Sequence, residues 1–289
     1  MADSLDAGKT PQHLARRPTW RRLGVDAAIV ALFMILAVAC YWNAWSKGLS
    51  TMAQPAADIF DSMWCLTWLP HSVAHGHNPF FSDFANYPPG INVLANTSVL
   101  ALGLIGSPIT LLAGPVAAYN VLITLALGGS ATAAYFVIQR FVPWRPAAAI
   151  GGLVYGFSPF EIGEGLGHLN LAFAVLPPLI LLLLYDLAVR QRGNPYLRGL
   201  LLAALVVFQF FVSPEVLVSS VIMGIILIAL ITWEGRRSVR AHLDHFARGL
   251  ATAGVVSVAV LAYPAWFFAR GPQHINGPIQ SVGDRKSVV

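Results

Sequence analysis

Asp58 and Asp61 stand one helical turn apart in AADIFDSMWCLTWLPHSVAHGHN, where they form a candidate carboxylate pair for proton transfer. A plainer role competes for Asp58, because a carboxylate at a helix start can cap free backbone N–H groups and meet the positive helix end. His71, His75 and His77 follow, and the i, i+4 spacing of the first two suits metal ligation on one helix face. No cysteine or well-spaced third ligand accompanies them, so interfacial or helix-terminal histidines explain them equally. A second polar group is EIGEGLGHLN, in which Glu161, Glu164, His168 and Asn170 supply donors and acceptors. Gly163, Gly165 and Gly167 allow a tight backbone there, although a polar turn between helices needs no function. Glu215 opens an apolar run directly after Pro214. An ionisable group at membrane depth is a functional candidate, while a helix N-terminal charge is the simple alternative. Asp26 and Asp186 sit beside arginines and read as structural.

These groups are carried by a chain that is unusually poor in charge. Of 289 residues, 56% are hydrophobic and 11% charged, against roughly 25% charged in a soluble domain. This excludes a soluble enzyme, a disordered chain and a disulfide scaffold; Cys40 and Cys65 form no recognisable pair. The expected fold is all-α and integral to a membrane. Apolar runs occupy 25–45, 99–113, 117–139, 147–160, 170–189, 199–213, 216–233 and 248–269. The first is too long for a signal-peptide core and is followed by no A-x-A site, so it reads as an uncleaved span.

Basic residues decide which runs cross. They gather at Lys9–Arg22, at Arg140 and Arg145, at Arg190, Arg192 and Arg198, and at Arg236, Arg237, Arg240 and Arg248. If all eight runs crossed, the second and third clusters would lie outside, against the positive-inside rule. Residues 99–113 are short, contain Gly103, Gly106 and Pro108, and end at Gly114-Pro115. Laid in the interface or re-entrant, they leave about seven transmembrane helices and place fourteen of the eighteen lysines and arginines inside. The expected organisation is a cytoplasmic basic N-terminal segment 1–24, a helical membrane domain 25–269 with a long outer loop 46–116, and an outer tail 270–289. The net charge of +5 is then topological, and a nucleic-acid partner is not expected. Asp58, Asp61, Asp83, Glu161, Glu164 and Glu215 all fall at the outer face. Acidic residues do little to set topology, so their gathering points to a use.

In the outer loop, residues 58–74 read as an amphipathic helix lying on the bilayer surface. Ile59, Met63, Leu66 and Val73 mark its apolar side, and Trp64 and Trp68 share a face. Pro79, Pro88, Pro89 and Gly90 enforce turns after it, with Phe80, Phe81, Phe84 and Tyr87 as anchors. The sequon Asn96-Thr97-Ser98 reads as accidental.

The arrangement of one span, a long outer loop opening on Asp, interfacial helices and then basic inner loops resembles the GT-C superfamily of bacterial multispan membrane glycosyltransferases. DIFDSMWCLTWLPHSVAHGHNPFFSDFANYPPGINVLANTS is similar to their first outer loop, with an Asp, a Trp-x-x-x-Trp helix, an N-P-[FL] turn and a Y-P-x-G-x-N segment. GHLNLAFAVLPPL and the Glu215 region add looser likeness. The resemblance implies a multi-pass protein of the bacterial cytoplasmic (inner) membrane, N-terminus cytoplasmic. It would move a sugar from a polyprenyl-phosphate donor to an acceptor at the outer face, with inversion. Membrane lipids and a lipid-linked sugar donor are the partners so implied, and a divalent metal is a cofactor it allows. Asp58 matches the family's outer-loop base or metal-holding Asp, with Asp61 as alternate. His168 becomes a contact for phosphate or substrate, Glu164 and Glu215 candidate sugar or metal ligands, and Asn170 a further polar group of the same turn. A transporter or flippase, or a noncatalytic membrane scaffold, are the competing readings; the absence of internal repeats and the acids gathered at one face speak against transport.

The end of the chain reads RGPQHINGPIQSVG followed by DRKSVV. One codon choice for Asp284–Val289, GAT CGG AAG AGC GTC GTG, is similar to a widely used sequencing adapter. The expectation is therefore an N-terminal fragment, cut near Gly283.

Overall fold

The computed structural model describes residues 19–52, 57–95, 99–191, 193–234 and 236–275. The sequon at 96–98, the bulk of segment 1–24 and the tail from 276 lie outside the described residues. The chain opens with α1 (Thr19–Cys40), broken at Tyr41 from the short α2 (Trp42–Lys47), which ends at Gly48. α3 (Ala57–Ala74) follows the expected bounds of the surface helix closely. A small hairpin pairs β1 (Phe81–Ser82) antiparallel to β2 (Ile91–Asn92), Phe81 opposite Asn92 and Ser82 opposite Ile91. Gly90 closes it at a φ of +77°, where a Cβ would sit 2.7 Å from the Ser82 carbonyl oxygen.

Helices make up the rest: α4 (Leu100–Ala113), α5 (Pro115–Ile138), α6 (Arg145–Gly156), α7 (Pro159–Glu164), α8 (Leu169–Ala172), α9 (Leu176–Tyr185), α10 (Pro195–Val212), α11 (Pro214–Glu234) and α12 (Arg236–Arg270). A wide turn, Asp186–Arg190, continues α9. Proline at the first position of α5, α10 and α11 suits the helix start, where an N–H would go unpaired.

Among the described residues, six helical segments are long and apolar enough to cross a membrane. These are Leu23–Cys40, Pro115–Ile138, Leu169–Arg190, Pro195–Val212, Pro214–Trp233 and Leu243–Arg270. α4 has 14 residues, about 21 Å of helix, short of a crossing as expected for 99–113. Run 147–160 departs from expectation. Its helix, α6, has only 12 residues and stops at Gly156. Ser158 then caps a new helix, its side chain accepting from the Glu161 N–H at 3.1 Å, and Pro159 takes the first position of α7. A fresh N-cap and a proline restart the backbone in a new direction.

α5 is the centre, with 61% of its apolar window buried against 11% for α11. α3, α4 and α6 pack on α5, and α10 packs on α12. Small residues permit close helix approach. A Cβ at Gly156 would lie 2.4 Å from the Ala131 nitrogen of α5, and one at Gly199 2.4 Å from the Gly249 carbonyl oxygen of α12. The two ends of α1 are tied differently. Near its start, Asp26 accepts two bonds from Arg145 (2.7 and 2.9 Å), one from the Tyr135 hydroxyl (2.6 Å) and one from Gln139 (3.1 Å). Just past its end, the Tyr41 hydroxyl donates to the Gly165 carbonyl at 3.1 Å. Asp186 likewise pairs with Arg190 and Arg198. Both aspartates are structural, as their neighbours implied.

Candidate functional site

Asp58 lies in the first turn of α3, and its carboxylate meets a partner 110 residues away. Oδ2 is 2.8 Å from His168 Nε2, while His168 Nδ1 is 2.8 Å from Glu164 Oε2. Each ring nitrogen of His168 thus faces one carboxylate oxygen. The chain Asp58–His168–Glu164 therefore sets the orientation of the Asp58 carboxylate. The site is open: the Asp58 side chain is 61% exposed, His168 46% and Glu164 23%.

The backbone around His168 winds through consecutive tight turns. Gly165 N–H donates to the Glu161 carbonyl, Gly167 to Glu164, and His168 to Glu164 at 2.8 Å. Gly165 is required by contact rather than by φ, since a Cβ would sit 2.4 Å from the Tyr41 hydroxyl. Tyr41 grips the Gly165 carbonyl, and Tyr119 of α5 reaches that of Gly167 at 3.5 Å. Burial raises the Tyr41 phenol above its ordinary range, so it remains a donor at neutral pH. Sequence reasoning overlooked these two tyrosines. The only signal was their place at the ends of apolar runs, where buried aromatic hydroxyls need partners.

The other candidates divide. Asp61, one turn from Asp58, is placed differently. It lines a separate cavity beside Trp64, Cys65 and the hairpin, a wall that does not include Asp58. Burial, then the Asp61 charge, pushes the Cys65 thiol up to about 12, which leaves it unreactive. Asn170 is buried in α8 and stands outside the Asp58–His168–Glu164 chain. Glu215 is exposed at the start of α11 and lines a cavity of about 880 Å³ between α5, α6, α9 and α11, which Glu161 also reaches. The histidines of α3 stack instead of converging. The rings of His71 and His75 lie 4.2 Å apart, and His77 and Trp68 join the stack. Among the described residues, no three His, Cys, Asp or Glu side chains are placed to hold a metal ion. In the Asp58 chain itself the His168 nitrogens are engaged by the two carboxylates, so the three side chains do not aim at a common point.

Glu161 is 6% exposed, with Oε2 unpartnered. Burial, and secondarily Glu164, lifts its carboxyl from the ordinary 4.5 to about 7. Stability from the neutral acid is complete below about pH 4.5 and is lost as pH rises through about 7. Glu161→Gln is accordingly expected to stabilise the protein at pH 8 by on the order of 1–3 kcal/mol and to change little at pH 4.5. Thermal unfolding in detergent at both pH values reads this; an equal shift at both would show that Glu161 does not titrate between them.

Comparison with known protein families, with curated proteins and with solved structures finds no match.

Proposed function

We propose that this chain is a membrane glycosyltransferase of the GT-C kind, transferring a sugar from a polyprenyl-phosphate donor at the outer face of a bacterial cytoplasmic membrane. The observation that carries the reading is the Asp58–His168–Glu164 chain, an oriented and solvent-reachable carboxylate. It lies at the same end of α1 as Tyr41 and beside the cavity of about 880 Å³. That cavity is walled mainly by apolar side chains, Val154, Pro178 and Leu181 among them, and carries Glu161 and Glu215. A lipid carrier has the same division, an apolar tail and a polar head.

The reading includes a seventh crossing, made by α6 and the turn after it. Arg145 is tied to the start of α1 and Gly165 to the residue just past its end, so the chain between them covers the depth that α1 covers. With that crossing the basic loops share one side, the cytoplasm, and Asp58 faces outward with the N-terminus inside.

In the reaction, an acceptor hydroxyl gives its proton to Asp58 as its oxygen attacks the anomeric carbon opposite the phosphate. The new C–O bond forms while the bond to phosphate breaks, and phosphate leaves with the electron pair, inverting the anomeric centre. His168, held by Glu164, keeps the carboxylate aimed; Arg270 is a cation on this side.

Proteoliposomes supplied with polyprenyl-phosphate monosaccharides are expected to give inverted glycoside and free polyprenyl phosphate. Transport without turnover would replace the enzyme with a transporter. For orientation, Asp58→Cys is expected to react with an impermeant thiol reagent in intact cells. Reaction only after lysis would overturn the assignment of faces.

A further inference from the structure

Separate from the Asp58 chain, α3 and the hairpin enclose a cavity of about 470 Å³, within the roughly 300–1,000 Å³ of small-molecule sites. Two further cavities, one between α9, α10, α11 and α12 and one between α5, α9 and α11, are walled almost wholly by apolar side chains. This one is mixed, with Asp61, Trp64, Asn86, Asn92 and Gln273 among its lining. Trp64 is a fixed plate. It stacks on Trp68 with ring centroids 5.6 Å apart and planes within 4°, and Trp68 is itself pinned by its indole N–H to the Pro79 carbonyl at 3.0 Å. One face of Trp64 is thus taken by Trp68, and Trp64 also lines the cavity.

Around the plate stand polar groups of two kinds. Asn92 is committed to the fold, its amide donating to the Phe267 carbonyl (2.9 Å) and accepting from the Leu94 N–H (3.1 Å). Asn86 makes one bond to the Gly90 carbonyl (3.2 Å), which aims its amide and leaves acceptor and donor capacity. Asp61 is exposed and enters no hydrogen bond or ion pair among the described residues.

We propose that this cavity binds a pyranoside, the C–H face of the sugar lying on Trp64 and its hydroxyls donating to Asp61 and Asn86. The lining selects against other classes. An anionic head would meet Asp61 with no lysine or arginine among the described residues of the wall. An acyl chain would strip water from that carboxylate without replacing its hydrogen bonds. A neutral ring with one apolar face and a rim of hydroxyls satisfies both the plate and the carboxylate. Its use as the seat of the acceptor sugar, one helical turn from Asp58, rests on the transferase reading; the binding itself does not.

The test is saturation-transfer NMR on the full chain in a sugar-free zwitterionic detergent. The probes are methyl glucosides, galactosides and mannosides, with sorbitol as the open-chain control. At least one pyranoside is expected to receive saturation at its ring protons while sorbitol does not. Asp61→Asn and Asn86→Ala, both at exposed positions, are expected to weaken binding at least about tenfold, as is Trp64→Leu. No transfer to any pyranoside, or transfer indifferent to Asp61→Asn and Asn86→Ala, overturns the site. Pyranoside binding without turnover of any donor leaves the site standing and removes the transferase reading. Turnover indifferent to Asp61→Asn removes the acceptor role alone.

Discussion

Asp58→Asn is expected to lower glycosyl transfer by about 10²–10⁴-fold, the usual contribution of a positioned base, with expression and topology intact. The substitution is isosteric, so His168 Nε2 keeps an oxygen to which it can donate. It also preserves what a helix start asks of this position, since Asn serves there about as well as Asp. The variant therefore separates the two roles that the sequence leaves open. If Asp58 only favours the beginning of α3, transfer stays close to normal. If it takes the acceptor proton, transfer collapses in a folded protein. The single-turnover rate with a polyprenyl-phosphate sugar, beside thermal unfolding of both proteins, decides between them. His168 is a positioning residue in this scheme. His168→Gln is expected to lower kcat with little change in KM, because the group that orients the Asp58 carboxylate is lost while the substrate contacts remain.

The largest effect on stability is expected from Arg145→Ala, a loss of about 2 kcal/mol, between the cost for an exposed pair and that for a fully buried one. Asp26 and Arg145 are only 16% and 27% exposed, and they bond through two parallel contacts while Tyr135 and Gln139 fill the remaining acceptor positions. Without the guanidinium, the carboxylate remains among groups that cannot neutralise it. The cluster joins α1, α5 and α6, and α6 leads into the turn that carries Glu164 and His168. Loss of the pair is thus expected to loosen the Asp58 site as well. Asp26→Asn combined with Arg145→Gln removes both charges and is expected to recover most of the loss. The surface pair Arg248–Asp244, 54% and 76% exposed, serves as control: Asp244→Ala is expected to cost under about 1 kcal/mol. Thermal unfolding in one detergent measures all three; an Arg145→Ala protein as stable as the Asp244→Ala protein would show that the cluster does not hold the helices together.

Much of this was legible along the chain because it depends on neighbours in sequence. Hydropathy over twenty residues marks helices suited to a bilayer, and proline and glycine mark their breaks. The extent of α3, the shared face of Trp64 and Trp68, the shortness of 99–113 and the arginine partners of Asp186 all follow from such local signals, whereas the arginine that holds Asp26 is Arg145, 119 residues along the chain. The run at 147–160 reads as one continuous helix for the same reason. Its composition is that of a span, but Ser158 and Pro159 begin a new helix once Gly156 has brought α6 against Ala131.

What tertiary structure alone decided is which polar groups meet. Asp58 and Asp61 look like partners at i, i+3, yet one carboxylate joins His168 across 110 residues and the other faces the hairpin. Tyr41 and Tyr119, unremarkable in sequence, hold the carbonyls that present His168. Helix formation and membrane partition are summed over consecutive residues, whereas the direction of a side chain at a junction is set by how separate helices pack. Residue order therefore determined a helical membrane protein with its acids gathered at the helix ends. Only the close approach of α1, α3, α5 and the turn after α7 made a site of two of them, Asp58 and Glu164, with His168 between.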